Sequence, residues 1–130
     1  MPSLPYRLCD VFTDRPLSGN ELAVFTHADA IDPATMQQLA RELNLSECAF
    51  VLAPTVPGAA ARVRICTPTM ELPFAGHPTL GTAFVLAELR PELGSVVARA
   101  APCSVEQDQV VLVHDHVGRL ARVERDLGVA

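Results

Sequence analysis

The sequence predicts an α+β domain in which a strongly curved β-sheet wraps around one buried helix and a second, amphipathic helix lies outside. Three observations predict it. Ala83-Phe84-Val85-Leu86-Ala87 is apolar on every side, and a helix that is apolar all round has to be buried. Met36, Leu39, Ala40 and Leu43 recur at helical spacing with Gln37, Gln38, Arg41 and Glu42 opposite, the pattern of an outer helix. Short strand-like stretches precede, separate and follow these two segments, in the order strand, strand, helix, strand, strand, buried helix and three strands.

Composition bounds the function. The chain has 130 residues, which by size is a single domain, 1–130, able to bury its own core. Hydrophobic residues make up 49% and charged residues 19%, the balance of a globular protein. The net charge of −5, with no Lys/Arg cluster, argues against nucleic-acid binding. Trp is absent and Tyr occurs once, so base-stacking platforms are not expected. No run approaches the eighteen or so apolar residues of a membrane span. Met1-Pro2-Ser3-Leu4-Pro5 lacks the charged start of a signal peptide, and a cytoplasmic location is expected. Cys9, Cys48, Cys66 and Cys103 form no CxxC pair and are expected to be buried free thiols.

Taken in order, Tyr6 to Thr13 and Glu21 to Thr26 read as two strands of a hairpin with a long loop rich in turn formers. Asp10 is unusual among the apolar residues of its strand face. Asp32 is the N-cap of the outer helix, Pro33 its first residue, Ile31 a staple onto Met36, and Asn44 a stop. Cys48 to Leu52 is apolar on both faces. Ala61 to Thr67 alternates, with Ala61, Val63 and Ile65 against Arg62, Arg64 and Cys66. The buried helix runs to about Leu89 and breaks at Arg90-Pro91. Ser95 to Ala101, Gln109 to Val113 and Leu120 to Glu124 close the chain as strands.

The block from Glu71 to Ala83, ELPFAGHPTLGTA, organises the rest. It reads as a tight turn opening the buried helix, with Gly76 permitting a positive φ and Pro78 at the first helical position. A helix start of this kind presents N–H groups and a positive dipole end to an anion. Gly76-His77 is therefore a candidate site, His77 donating to a carboxylate or relaying a proton; a histidine packed as a loop cap is the alternative. Glu47 sits between a loop and an apolar strand, beside Leu45, Ala49 and Phe50. Partial desolvation suits a carboxyl group to acid/base work, although a solvated strand-end glutamate has the same spacing. Asn20, after Gly19, offers an amide to a ligand or simply ends a turn. His114 and His116 have chelating spacing, but they fall in an apparent hairpin turn and no metal site is assigned. There is no GxSxG elbow, GxGxxG fingerprint or P-loop.

Three blocks then align with a known pattern: Asp10-Val11-Phe12-Thr13 with Pro16 to Asn20, Ala40 to Glu47, and Glu71 to Ala83. In order and spacing they resemble the PhzF-like family of phenazine-biosynthesis isomerases, clearly from about Tyr6 to Leu89. The resemblance implies one half of a diaminopimelate-epimerase-like fold, with a mixed, barrel-like sheet around the central helix. In that fold two such halves face each other across a cleft. It further implies that Glu47 is the general acid/base, that His77 binds or protonates the substrate, and that Asn20, Gly76, Pro78 and Thr79 line the cleft. The substrate class it implies is a small unsaturated carboxylate, handled without metal or cofactor.

Two departures qualify the resemblance. Epimerases and racemases of this fold carry a catalytic Cys before the turn glycine, where this chain has Ala75, so a two-thiol mechanism is disfavoured. Family members are also roughly twice as long, and the acidic residue and Gly-Ser helix start of their second half have no counterpart. Gly94-Ser95 precedes a strand. The expectation is a site completed by a second chain, in a homodimer or with a separate protein carrying the missing half. A non-catalytic binding subunit or an inactive remnant is the alternative.

Overall fold

The structure is a computed structural model that describes residues 3–13, 15, 17–55 and 57–93, with the backbone of strands at 97–99, 109–112 and 121–123. β1 (Tyr6–Val11) and β2 (Asn20–Phe25) form the expected antiparallel hairpin, with Tyr6 opposite Phe25 and Val11 opposite Asn20. β1 stops two residues earlier than its pattern suggests, because Phe12 turns into the left-handed region at φ 63°. Leu17 does the same at φ 60°. The Asp10 carboxylate holds this loop by accepting the Leu17 N–H at 2.6 Å. That contact accounts for an acid on an otherwise apolar strand face.

α1 (Pro33–Leu43) begins and ends where its caps predict. Asp32 Oδ1 accepts the Thr35 N–H at 2.7 Å, and Asn44 closes the helix at φ 53°. The chain then enters β3 (Glu47–Leu52), which pairs with β2 in parallel, Leu22 opposite Glu47. A parallel pair needs a crossover, and α1 supplies it. β4 (Ala61–Cys66) is antiparallel to β3. A two-residue strand absent from the sequence reading, β5 (Glu71–Leu72), pairs with Ile65 and Cys66 and is held by the Arg64–Glu71 ion pair at 2.7 Å. α2 (Gly76–Leu89) follows, then a 3-10 turn at Pro91–Leu93. β6 (Val97–Arg99), β7 (Gln109–Leu112) and β8 (Ala121–Val123) lie within the three closing stretches.

The sheet runs β6-β7-β4-β3-β2-β1-β8, with β5 on β4. It is mixed and open, ending on β6 and β8. Its central strands carry apolar side chains on both faces. Leu22, Val24, Ala49, Val51, Val63 and Ile65 pack toward Ala83, Val85 and Leu86 of α2. Ala23, Phe25, Cys48, Phe50 and Leu52 pack toward Met36 and Ala40 of α1. Phe25 and Phe50 stack at 4.8 Å within this second cluster. The result is α+β, with the sheet between one amphipathic and one apolar helix.

Candidate active site

The parallel register of β2 and β3 brings their first residues, Asn20 and Glu47, to the same end of the sheet. α2 starts over that end and places His77 against both. His77 Nδ1 lies 2.9 Å from Glu47 Oε2, and Nε2 lies 3.0 Å from the Asn20 carbonyl oxygen. His77 is 8% exposed and the Glu47 side chain 20%, so the pair is largely shielded while the carboxylate still reaches solvent. A backbone carbonyl can only accept, so Nε2 carries a proton and donates it. The Nδ1–Oε2 contact needs one further proton, held by either the ring or the carboxyl group. A histidine and a glutamate arranged this way can hand a proton to a reacting carbon and take one back. The sequence candidates Glu47, His77 and Asn20 are thus brought together.

The helix start departs from expectation in two respects. Gly76 is not in the positive-φ region; Gly58 is the glycine that occupies it among the described residues. Ala75 is the N-cap, in extended conformation, with no side-chain cap bond. Gly76 is therefore the first helical residue and Pro78 the third, a position that still lacks an intrahelical acceptor for any N–H. Thr79 is buried and turns its hydroxyl back onto the Ala75 carbonyl at 2.7 Å. Its N–H faces the same oxygen at 3.3 Å. Pro78 is buried as well and has no N–H to offer. The donors that the helix geometry leaves for an anion are the N–H groups of Gly76 and His77. A Cβ added at Gly76 would meet nothing within 4 Å, so open space lies over this turn.

Two contributors were not singled out from sequence. Ser46, chain neighbour of Glu47, donates its hydroxyl to Asn20 Oδ1 at 2.9 Å. Phe12, 61% exposed, sets its ring 6.4 Å from the His77 ring and forms an apolar shoulder. Adjacency to Glu47 is the signal that marks Ser46; the left-handed turn that swings Phe12 over the site has no local signature.

The described thiols stand apart from this chemistry. Cys9, Cys48 and Cys66 are free and buried, and burial pushes them up to about 12, 12 and 11 respectively. Among the described residues no group of three or more His, Cys, Asp or Glu could hold a metal ion. His114 and His116, to which no metal site is assigned, lie outside the described residues, as do Cys103 and Gly94-Ser95.

Comparison with known proteins places this geometry in a family context. A family model described as phenazine biosynthesis-like protein, PhzC-PhzF, matches residues 9–110. An uncharacterized isomerase of Mesorhizobium japonicum is 52% identical over 73% of the chain, which covers 32% of that protein. The trans-2,3-dihydro-3-hydroxyanthranilate isomerase of Pseudomonas fluorescens is 41% identical over 96% of the chain, which covers 49% of that enzyme. A solved structure described as a predicted epimerase from Pseudomonas aeruginosa superposes with a TM-score of 0.71 at 41% identity, over 92% of this chain and 41% of that one. The chain spans about half the length, or less, of the curated relatives it matches.

Proposed function

This chain belongs to the phenazine biosynthesis-like PhzC-PhzF family, and on that premise we propose that it carries half of a cofactor-independent, metal-free isomerase site. The observation that carries the reading is the Glu47–His77 contact of 2.9 Å at the open start of α2. Glu47 removes a proton from an activated carbon of a small unsaturated carboxylate and returns one elsewhere on the same face. His77 shares that proton along Nδ1–Oε2 and keeps the carboxyl group oriented. The Gly76 and His77 N–H groups hold the substrate carboxylate, helped by the dipole of a fourteen-residue helix. Asn20 supplies an amide at the rim. Pro78 and Thr79 act as supports of the turn, which fits their burial better than direct substrate contact.

The sheet is proposed to curve strongly around α2, a reading supported by contacts of α2 with both β6 and β8, the strands at its two ends. A second copy of the chain is proposed to close the cleft, since a two-fold pair is the commonest assembly. The rival reading is a non-catalytic small-molecule-binding or partner subunit. Secondary metabolism is carried over from the family resemblance.

Deuterium uptake from D₂O into trans-2,3-dihydro-3-hydroxyanthranilate tests the chemistry. Wild type should exchange, and Glu47→Gln should lose roughly 10²–10⁴-fold of the rate, the usual weight of a general acid/base. Exchange that survives Glu47→Gln unchanged removes Glu47 from the mechanism. Binding without exchange favours the non-catalytic subunit. Sedimentation of a strict monomer at micromolar concentration, in the presence of exchange, sinks the dimer.

A further inference from the structure

The contacts around His77 close on themselves. Ser46 Oγ donates to Asn20 Oδ1 at 2.9 Å. The Asn20 carbonyl accepts from His77 Nε2 at 3.0 Å, and His77 Nδ1 meets Glu47 Oε2 at 2.9 Å. Glu47 is joined to Ser46 by a peptide bond. Four residues from β2, the β3 entry and α2 thus form one ring of contacts.

We infer that Ser46 is a positioning residue, which acts through Asn20 to hold His77 in a single tautomer with its fixed proton on Nε2. This deepens the acid/base reading above and rests on it for its catalytic meaning. The reasoning is one of donors and acceptors. Asn20 is the first residue of β2, paired with Val11 of β1, and it is exposed, so the ladder holds its backbone on one side and leaves its side chain to be held by other contacts. The Ser46 hydroxyl supplies that restraint and leaves the amide N–H₂ as the donor end. With Asn20 held, its carbonyl stays aimed at Nε2, and a carbonyl demands a donor there. The ring nitrogen left to exchange a proton is Nδ1, on the line to Glu47. The transfer is balanced: Nδ1–H with a carboxylate becomes a bare Nδ1 with a carboxylic acid, and no other group gains or loses charge. Unrestrained, a neutral imidazole divides between two tautomers, and only the one with a bare Nδ1 can take the Glu47 proton.

Long-range ¹H–¹⁵N NMR of histidine-labelled protein reads this without substrate. In wild type, His77 should show Nε2 at its protonated position with a slowly exchanging proton. Ser46→Ala should speed that proton's exchange with water roughly 3–10-fold, as expected for loss of one ordinary hydrogen bond, and broaden the ring resonances. Ser46→Thr should restore both, a rescue that a purely structural role would not produce. A bare Nε2 in wild type, or Ser46→Ala spectra identical to wild type in a folded protein, overturns the proposal. The isomerase reading fails separately, if the locked ring is seen but no deuterium enters the substrate.

Discussion

Two glycines on α2, five residues apart, should respond to alanine with opposite signs. At Gly81 an added Cβ would sit 2.5 Å from Leu22 Cδ2 and 2.9 Å from Val11 Cγ2. Ordinary carbon contacts begin near 3.5–4.0 Å, so something must give by about 1 Å. Leu22 and Val11 are both 0% exposed, with no solvent side to move into. Overpacking of this kind costs about 1–3 kcal/mol. Replacing an interior helical glycine by alanine returns about 1 kcal/mol. The net for Gly81→Ala is destabilisation by about 1 kcal/mol, with a ceiling near 2. At Gly76 the Cβ meets nothing and φ is not positive, so only the helical gain remains, about 0.3–1 kcal/mol at this terminal position. Urea unfolding followed by circular dichroism gives both differences from the midpoints at unchanged slope. The two variants also separate packing from function. Gly76→Ala fills the space over the proposed carboxylate cradle, so it should be stable yet bind substrate more weakly. Gly81→Ala more stable than wild type, showing the helical gain with no packing cost, would refute the close approach of α2 to the β1–β2 hairpin on which the placement of His77 depends.

Three further outcomes follow from the same structure. Thr82 is 0% exposed and its hydroxyl has no hydrogen-bond partner among the described residues, so the near-isosteric Thr82→Val should raise stability by about 1 kcal/mol in the same urea assay; a loss would show that the hydroxyl has a partner. Cys9, Cys48 and Cys66 titrate at about 12, 12 and 11 in the fold against an ordinary 9.0, so the unfolded chain releases their protons first. Stability from this source is fully present below about pH 9 and falls as pH rises toward 11–12, and Cys9→Ala should make the alkaline decline of the urea midpoint shallower. Asp32 is held below its ordinary 3.8 by the Thr35 N–H, so its capping contribution is present above that pH and lost as pH falls through the lower folded value. Asp32→Ala should lower the thermal midpoint at pH 7, with the difference from wild type closing in acid.

Much of this protein was legible because it is encoded locally. Periodicity distinguishes α1 from α2: one alternates polar and apolar faces, the other has no polar face to turn outward. The Asp32-Pro33 start and the Asn44 stop are side-chain and φ preferences of single residues, and they fall where the pattern put them. Glu47 and Gly76-His77 stood out by residue type beside apolar runs, and the family resemblance assigned their expected roles. What tertiary structure decided is which of these meet. Glu47 and His77 are 30 residues apart and His77 and Asn20 are 57 apart, and no local rule joins them. They meet because β2 and β3 bury both faces, which admits the one parallel register that places Leu22 opposite Glu47. Gly81 then lets α2 lie close enough to bring its first turn over that end of the sheet. The left-handed turns at Phe12 and Leu17 and the two-residue β5 were likewise invisible beforehand, since each depends on partners elsewhere: the Asp10 carboxylate for the loop, and Arg64 with the end of β4 that lies beyond its pairing with β7 for the short strand.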